Sequence, residues 1–317
     1  MAVRIAASSS GTSARVRPAR AVNDKFPNFF ILGAPKCGTT SLAAWLADNP
    51  SVFIPKIKEP HFFNTDDKQG VRSFAEYLEL FATVSERHLA IGEASVWYLS
   101  SAVAVRNIVE RQPGARFVVA IRNPIEMAPS LHSEMVVSGH ESVRDFRSAW
   151  DLQDLRRAGK RRPAQSWAAR RLLYGDVCAL GSQLKRLKTL VSARQIHVVV
   201  LDDLIENPRR EYLKLLDFLG ATDDGRVDFP IYNSRKSLKW PQATRALFVA
   251  AQIKNKLGVD LKLDLWRRLS DRNVTNAQAA SLPQETFELL SRYFADEIAL
   301  LERELGRNLQ YWHLRKG

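Results

Sequence analysis

The chain has 317 residues, 45% of them hydrophobic, and carries a formal net charge of +13. That size fits one α/β domain with its own core, and the basic excess favours an anionic partner such as a nucleotide, an acidic glycan or a membrane surface. Only two cysteines, Cys37 and Cys178, are present, too few for a disulfide framework or a paired-cysteine zinc site, and no run of about 20 apolar residues is available to span a bilayer.

In chain order, residues 1–26 set Arg4, Arg15, Arg17, Arg20 and Lys25 against the single acid Asp24 in an Ala/Ser-rich stretch. A disordered basic tail is predicted there, with a transit peptide as the alternative. Residues 27–317 are predicted to form one domain. The apolar run Phe29-Phe30-Ile31-Leu32 meets a Gly/Pro loop, and the helical spacing of Leu42, Trp45 and Leu46 follows, which reads as strand, loop, helix. Further apolar runs at Val52-Phe53-Ile54, Phe117–Ile121 and Ile196–Leu201 are separated by segments long enough for helices. Such alternation predicts an α/β fold: a P-loop-type parallel sheet with helices on both faces. The basic segment Arg156–Arg171, which contains Pro163, is predicted to be an exposed connection. Near the end, Phe287, Leu290, Tyr293, Phe294 and Ile298 fall on one helical face.

The loop Gly33-Ala34-Pro35-Lys36-Cys37-Gly38-Thr39-Thr40-Ser41 lies between a strand and a helix, where backbone N–H groups and the helix dipole hold phosphate. It differs from a Walker A loop in placing its lysine between the glycines, with Thr39 where that loop has lysine. The stretch Pro35–Leu42 resembles the 5′-phosphosulfate loop of sulfotransferases that use 3′-phosphoadenosine 5′-phosphosulfate (PAPS), in particular their carbohydrate and bacterial branches. Lys58-Glu59-Pro60-His61-Phe62-Phe63, Gly92–Tyr98 and Arg122-Asn123-Pro124 with Ser130 resemble successive motifs of the same family, as do Val200–Leu204 and Leu305–Leu309 with Trp312. Met127 stands where many relatives carry a second arginine, and Pro129 replaces a common tyrosine.

The resemblance implies sulfuryl transfer from PAPS, leaving adenosine 3′,5′-bisphosphate (PAP). Lys36 would offset charge on the leaving oxygen, assisted by Cys37, Gly38, Thr39, Thr40 and Ser41 around the 5′-phosphate. Arg122 and Ser130 would take the 3′-phosphate, with Arg235 and Lys236 as a clamp or as an ordinary exposed loop. Glu59 is the candidate base, or else a partner of Lys56 or Lys58; His61 is a second candidate or a pocket wall. Glu93, Ser95 and Trp97 are candidate acceptor contacts, with a buried structural carboxylate and core aromatics as the alternatives. No metal is needed where cationic side chains neutralise the charge.

Two other functions stay open from sequence. A P-loop kinase would use Asp202 to hold magnesium, and a non-catalytic nucleotide- or glycan-binding module would use the basic patch. No motif of a nucleic-acid-binding module accompanies the charge. A glycan, glycolipid or small metabolite is the expected acceptor, and a bacterial cytoplasmic setting is expected from the composition; oligomeric state is left open.

Overall fold

The computed structural model describes residues 25–57, 59–67, 70–71, 73–163, 169–232, 236–238, 274–276 and 282–314. The predicted tail and Arg235 therefore lie outside the described residues, apart from Lys25 and Phe26. Phe26 belongs to the fold, since its ring packs against Phe63 and Tyr77 at 6.3 and 6.0 Å.

Five strands form one parallel sheet: β1 (Phe29–Gly33), β2 (Val52–Phe53), β3 (Ala90–Ala94), β4 (Arg116–Ile121) and β5 (Ile196–Val200), in the order β2-β3-β1-β4-β5. All five residues of β1 are buried, as expected of a central strand covered on both faces. The helices of the sheet region are α1 (Thr39–Ala47), α2 (Phe74–Glu79), α3 (Ala104–Arg111), α4 (Pro124–Val137), α5 (Phe146–Asp151), α6 (Gln153–Arg157), α7 (Tyr174–Val177), α8 (Leu180–Leu190), α9 (Leu201–Glu206) and α10 (Pro208–Leu219). A short antiparallel pair, β6 (Lys236–Leu238) and β7 (Val274–Asn276), precedes α11 (Gln284–Tyr293) and α12 (Ala295–Leu305).

The chain leaves β1 toward β3 and β2 on one side and later crosses to β4 and β5 on the other. The carboxyl ends of β1 and β4 thus flank a topological switch point, where open α/β sheets leave a crevice. Local chemistry fixes what stands there. Asn123 caps α4 by accepting from the Ile125 N–H at 3.0 Å, and Pro124 occupies the first turn, where its missing N–H costs nothing. Pro129 lies inside α4 and removes one helical donor, yet the helix continues to Val137.

Two expectations change. Arg156–Arg171 is not simply an exposed connection, because both end residues are buried and neutralised. Arg156 pairs with Glu141 at 2.7 Å, and Arg171 pairs with Asp67 at 2.8 Å. Tyr293, placed on the apolar helical face, is 48% exposed, whereas Leu290, Phe294 and Ile298 are buried as expected.

Candidate active site

The loop after β1 owes its shape to two glycines. Gly33 has φ +126°, and a Cβ there would sit 2.2 Å from the Val96 carbonyl oxygen. Gly38, at φ +80°, turns the chain into α1, so the first N–H groups of that nine-residue helix have no helical acceptor. Among the described residues, four non-glycine positions have positive φ, and three of them are Lys36 (64°), Glu59 (59°) and His61 (52°). Side chains rarely tolerate this region, and strain of this kind concentrates at functional sites.

Lys36, Gly38–Ser41, Arg122, Ser130, Glu59 and Trp97 all line one cavity of about 790 Å³. The Lys36 ammonium donates to Glu134 at 3.1 Å. Arg122 donates to the Lys36 carbonyl at 3.2 Å and to Glu126 at 2.7 Å, while its buried Nε has no partner among the described residues. Ser41 is committed differently from expectation. Its hydroxyl accepts from the Tyr232 N–H at 3.0 Å and ties the segment after α10 to α1, and Trp45 donates to the Pro230 carbonyl at 3.0 Å. Trp45, Phe229 and Ile231 thereby give the cavity an apolar wall.

Glu59 is about one-third exposed, and its Oε2 lies 3.3 Å from Nε2 of His61. His61 itself is buried and is not part of the cavity wall, so it stands behind Glu59. Both residues hang from the end of β3: the Glu59 N–H donates to the Ala94 carbonyl at 3.0 Å, and the His61 N–H donates to the Ser95 hydroxyl at 3.2 Å.

Three sequence-derived assignments need correction. Glu93 and Ser95 do not line the cavity: Glu93 is wholly buried and accepts from Ser95 at 2.6 Å and Tyr77 at 2.7 Å, so this pair supports the Glu59 loop from beneath. Burial pushes the Glu93 carboxyl up to about 7, against the lowering effect of its hydroxyl donors. The Cys37 side chain points into the core, its thiol donating to the Pro35 carbonyl at 3.5 Å, and burial pushes it up to about 12. The whole residue is buried and does not line the cavity. Lys236 opens β6, and nothing further is assigned to it.

Several wall residues escaped the sequence reading, Glu126, Glu134 and Arg171 among them. Glu134 lies on the same face of α4 as Ser130, four residues on, a spacing legible in the sequence. Arg171 stacks over Trp97 with its guanidinium 4.2 Å from the ring centroid and donates twice to Asp67. Burial lowers it to about 10, opposed by Asp67 and Glu59. Asp202, by contrast, accepts from the Trp312 indole at 2.7 Å and from Tyr311 at 3.1 Å, so its carboxylate holds the C-terminal segment.

Residues 26–237 match the family model for the sulfotransferase domain. The chain belongs to the sulfotransferase-domain family. Among relatives, membrane-associated sulfotransferase kil1 of Dictyostelium discoideum is 28% identical over 104 residues, covering 33% of this chain and 22% of its own length. Human carbohydrate sulfotransferase 15 is 28% identical over 165 residues, covering 38% of this chain and 29% of its own length. The chain thus spans under a third of the length of these relatives. The crystal structure of a sulfotransferase from Alicyclobacillus acidocaldarius shares the fold, with a TM-score of 0.68 and 24% identity across 91% of this chain and 99% of the other. No helix among the described residues is long and apolar enough to cross a membrane, and none of their acidic, histidine and cysteine side chains cluster as a metal site.

Proposed function

We propose that this chain transfers a sulfuryl group from PAPS to a hydroxyl or amine of an acceptor, with a carbohydrate as the acceptor class. The observation that carries the reading is the convergence of Lys36, Arg122, Ser130 and Glu59 on one cavity at the switch point of the sheet. The site suits a donor with two anionic ends. The Arg122 guanidinium in the cavity wall is one anion-binding element, and the α1 N-terminus with Lys36 forms a second. The apolar wall of Trp45, Phe229 and Ile231 suits a planar base.

When bound, PAPS supplies a sulfuryl group already activated by its link to a phosphate oxygen. Lys36 and the N–H groups of Gly38, Thr39 and Thr40 offset the negative charge that gathers on that oxygen. Arg122 and Ser130 hold the 3′-phosphate and fix the register. Glu59 accepts the proton of the attacking hydroxyl or amine, and His61 holds the carboxylate in place by donating from Nε2. Trp97 and Arg171 form wall on which an acceptor can rest. The carbohydrate class is supported by the named activity of carbohydrate sulfotransferase 15 and by the net charge of +13. Two buried free thiols, Cys37 and Cys178, suit a reducing compartment such as the bacterial cytoplasm.

A kinase reading is disfavoured, since Asp202 does not line the cavity and its Oδ2 is engaged by Trp312 and Tyr311. The test is incubation with PAPS labelled in the sulfuryl group and a panel of polysaccharides bearing free hydroxyls or amines. Label is expected on a polysaccharide with the wild-type chain and not with Glu59→Gln. Label confined to small phenols would overturn the carbohydrate assignment.

A further inference from the structure

Each of the two cations assigned to the donor already holds a carboxylate, and both carboxylates come from α4. Glu126 takes Arg122 at 2.7 Å, and Glu134 takes Lys36 at 3.1 Å. They stand four residues before and four residues after Ser130, so the three side chains share one helical face and all line the cavity. Neither carboxylate is fully buried: Glu126 is 33% and Glu134 39% exposed, against 19% for Arg122 and 14% for Lys36. An ion pair of this exposure is weak and exchangeable, unlike the buried Arg156–Glu141 pair nearby.

We propose that Glu126 and Glu134 are internal counter-anions, each occupying one donor-site cation until a phosphate replaces it, and that they set the affinity for donor and product. This rests on the sulfotransferase reading, which places the 5′-phosphate at Lys36 and the 3′-phosphate at Arg122. Every phosphate that binds must displace a carboxylate held at high local concentration on the same helix. A single small anion meets that competition with one contact. A ligand with two phosphates meets it twice, but its second contact is intramolecular once the first is made. The carboxylates therefore keep stray monoanions off the cations, and they offer Lys36 and Arg122 a replacement partner as product leaves.

The two exchanges can be read separately. Glu126 and Glu134 are eight residues apart, about 12 Å along the helix, so their effects should be independent. Calorimetric titration of the full chain with PAP and with adenosine 5′-monophosphate distinguishes them. Glu134→Gln should tighten both ligands by the same factor, about twofold to fivefold at low salt. Glu126→Gln should tighten PAP by a similar factor and leave the monophosphate unchanged, and the double variant should multiply the two effects for PAP. Glu134→Asp, too short to reach Lys36, serves as a second variant should the glutamine form fold poorly. Unchanged or weakened PAP binding in these variants would overturn the proposal, as would a monophosphate that responds to Glu126→Gln instead of Glu134→Gln. A wild-type chain that binds neither nucleotide would instead overturn the sulfotransferase reading beneath it.

Discussion

Nε2 of His61 lies 3.3 Å from Oε2 of Glu59, with Glu59 in the cavity wall and His61 buried behind it. Both residues have positive φ, so the loop places the carboxylate toward the reactants and the imidazole toward the core. Glu59→Gln should abolish transfer while leaving PAP affinity within about twofold of wild type, because the amide keeps the shape and cannot take a proton. His61→Leu should lower kcat about tenfold without changing donor KM, since it removes only the group that orients the base. Steady-state kinetics beside PAP titration separates the two roles. Loss of PAP binding in Glu59→Gln would contradict the assignment of this residue as base.

Lys36→Ala should lower kcat by about 10²–10³-fold, the usual cost of losing one donor to developing oxyanion charge. Because the Lys36 ammonium also contacts Glu134, the variant frees that carboxylate into the cavity, and PAP affinity should fall as well. Single-turnover transfer and a PAP titration on the same preparation would measure both effects.

Gly33→Ala should destabilise the fold by about 3–5 kcal/mol. Its Cβ would meet the Val96 carbonyl oxygen at 2.2 Å, in a backbone conformation with φ +126° that alanine resists. Denaturant unfolding measures the loss. An alanine variant of normal stability would mean that the loop leaves β1 by another path.

Glu93 gives the folded chain a specific pH dependence. Burial raises its carboxyl from an ordinary value of 4.5 to about 7, so between these values the unfolded chain releases a proton that the folded chain keeps. Its contribution to stability is therefore present below pH 4.5, falls as pH rises toward 7, and is level above that. Glu93→Gln should flatten this part of the stability profile, measured by urea unfolding across pH 4.5–7.5. A slope unchanged by the substitution would show that other groups produce it.

Much of the fold and site was legible in sequence because the relevant segments are locally self-sufficient. β1, β4 and β5 are continuous apolar runs, and the loop between β1 and α1 combines glycines with a lysine and hydroxyls in an order that has few structural uses. β3 was read only as a motif, because Gly92 and Glu93 interrupt its apolar character. In three dimensions the glycine makes room for the Phe29 ring, which a Cβ would approach to 2.0 Å, and the glutamate is satisfied by Tyr77 and Ser95. The buried arginines were hidden for a similar reason. Arg171 is distant in sequence from its partner Asp67, and Arg156 from Glu141, so charge alone suggested solvent. Glu134 could have been found from its spacing to Ser130, but its contact with Lys36 joins segments 98 residues apart.

The central claim, that this cavity holds PAPS rather than a magnesium nucleotide, is tested most directly by a thermal-shift titration with PAP beside ATP plus magnesium. At about 100 times its dissociation constant, a ligand adds about 2.7 kcal/mol of stability. Stabilisation by PAP without magnesium is the expected result, and stabilisation only by ATP with magnesium would contradict it.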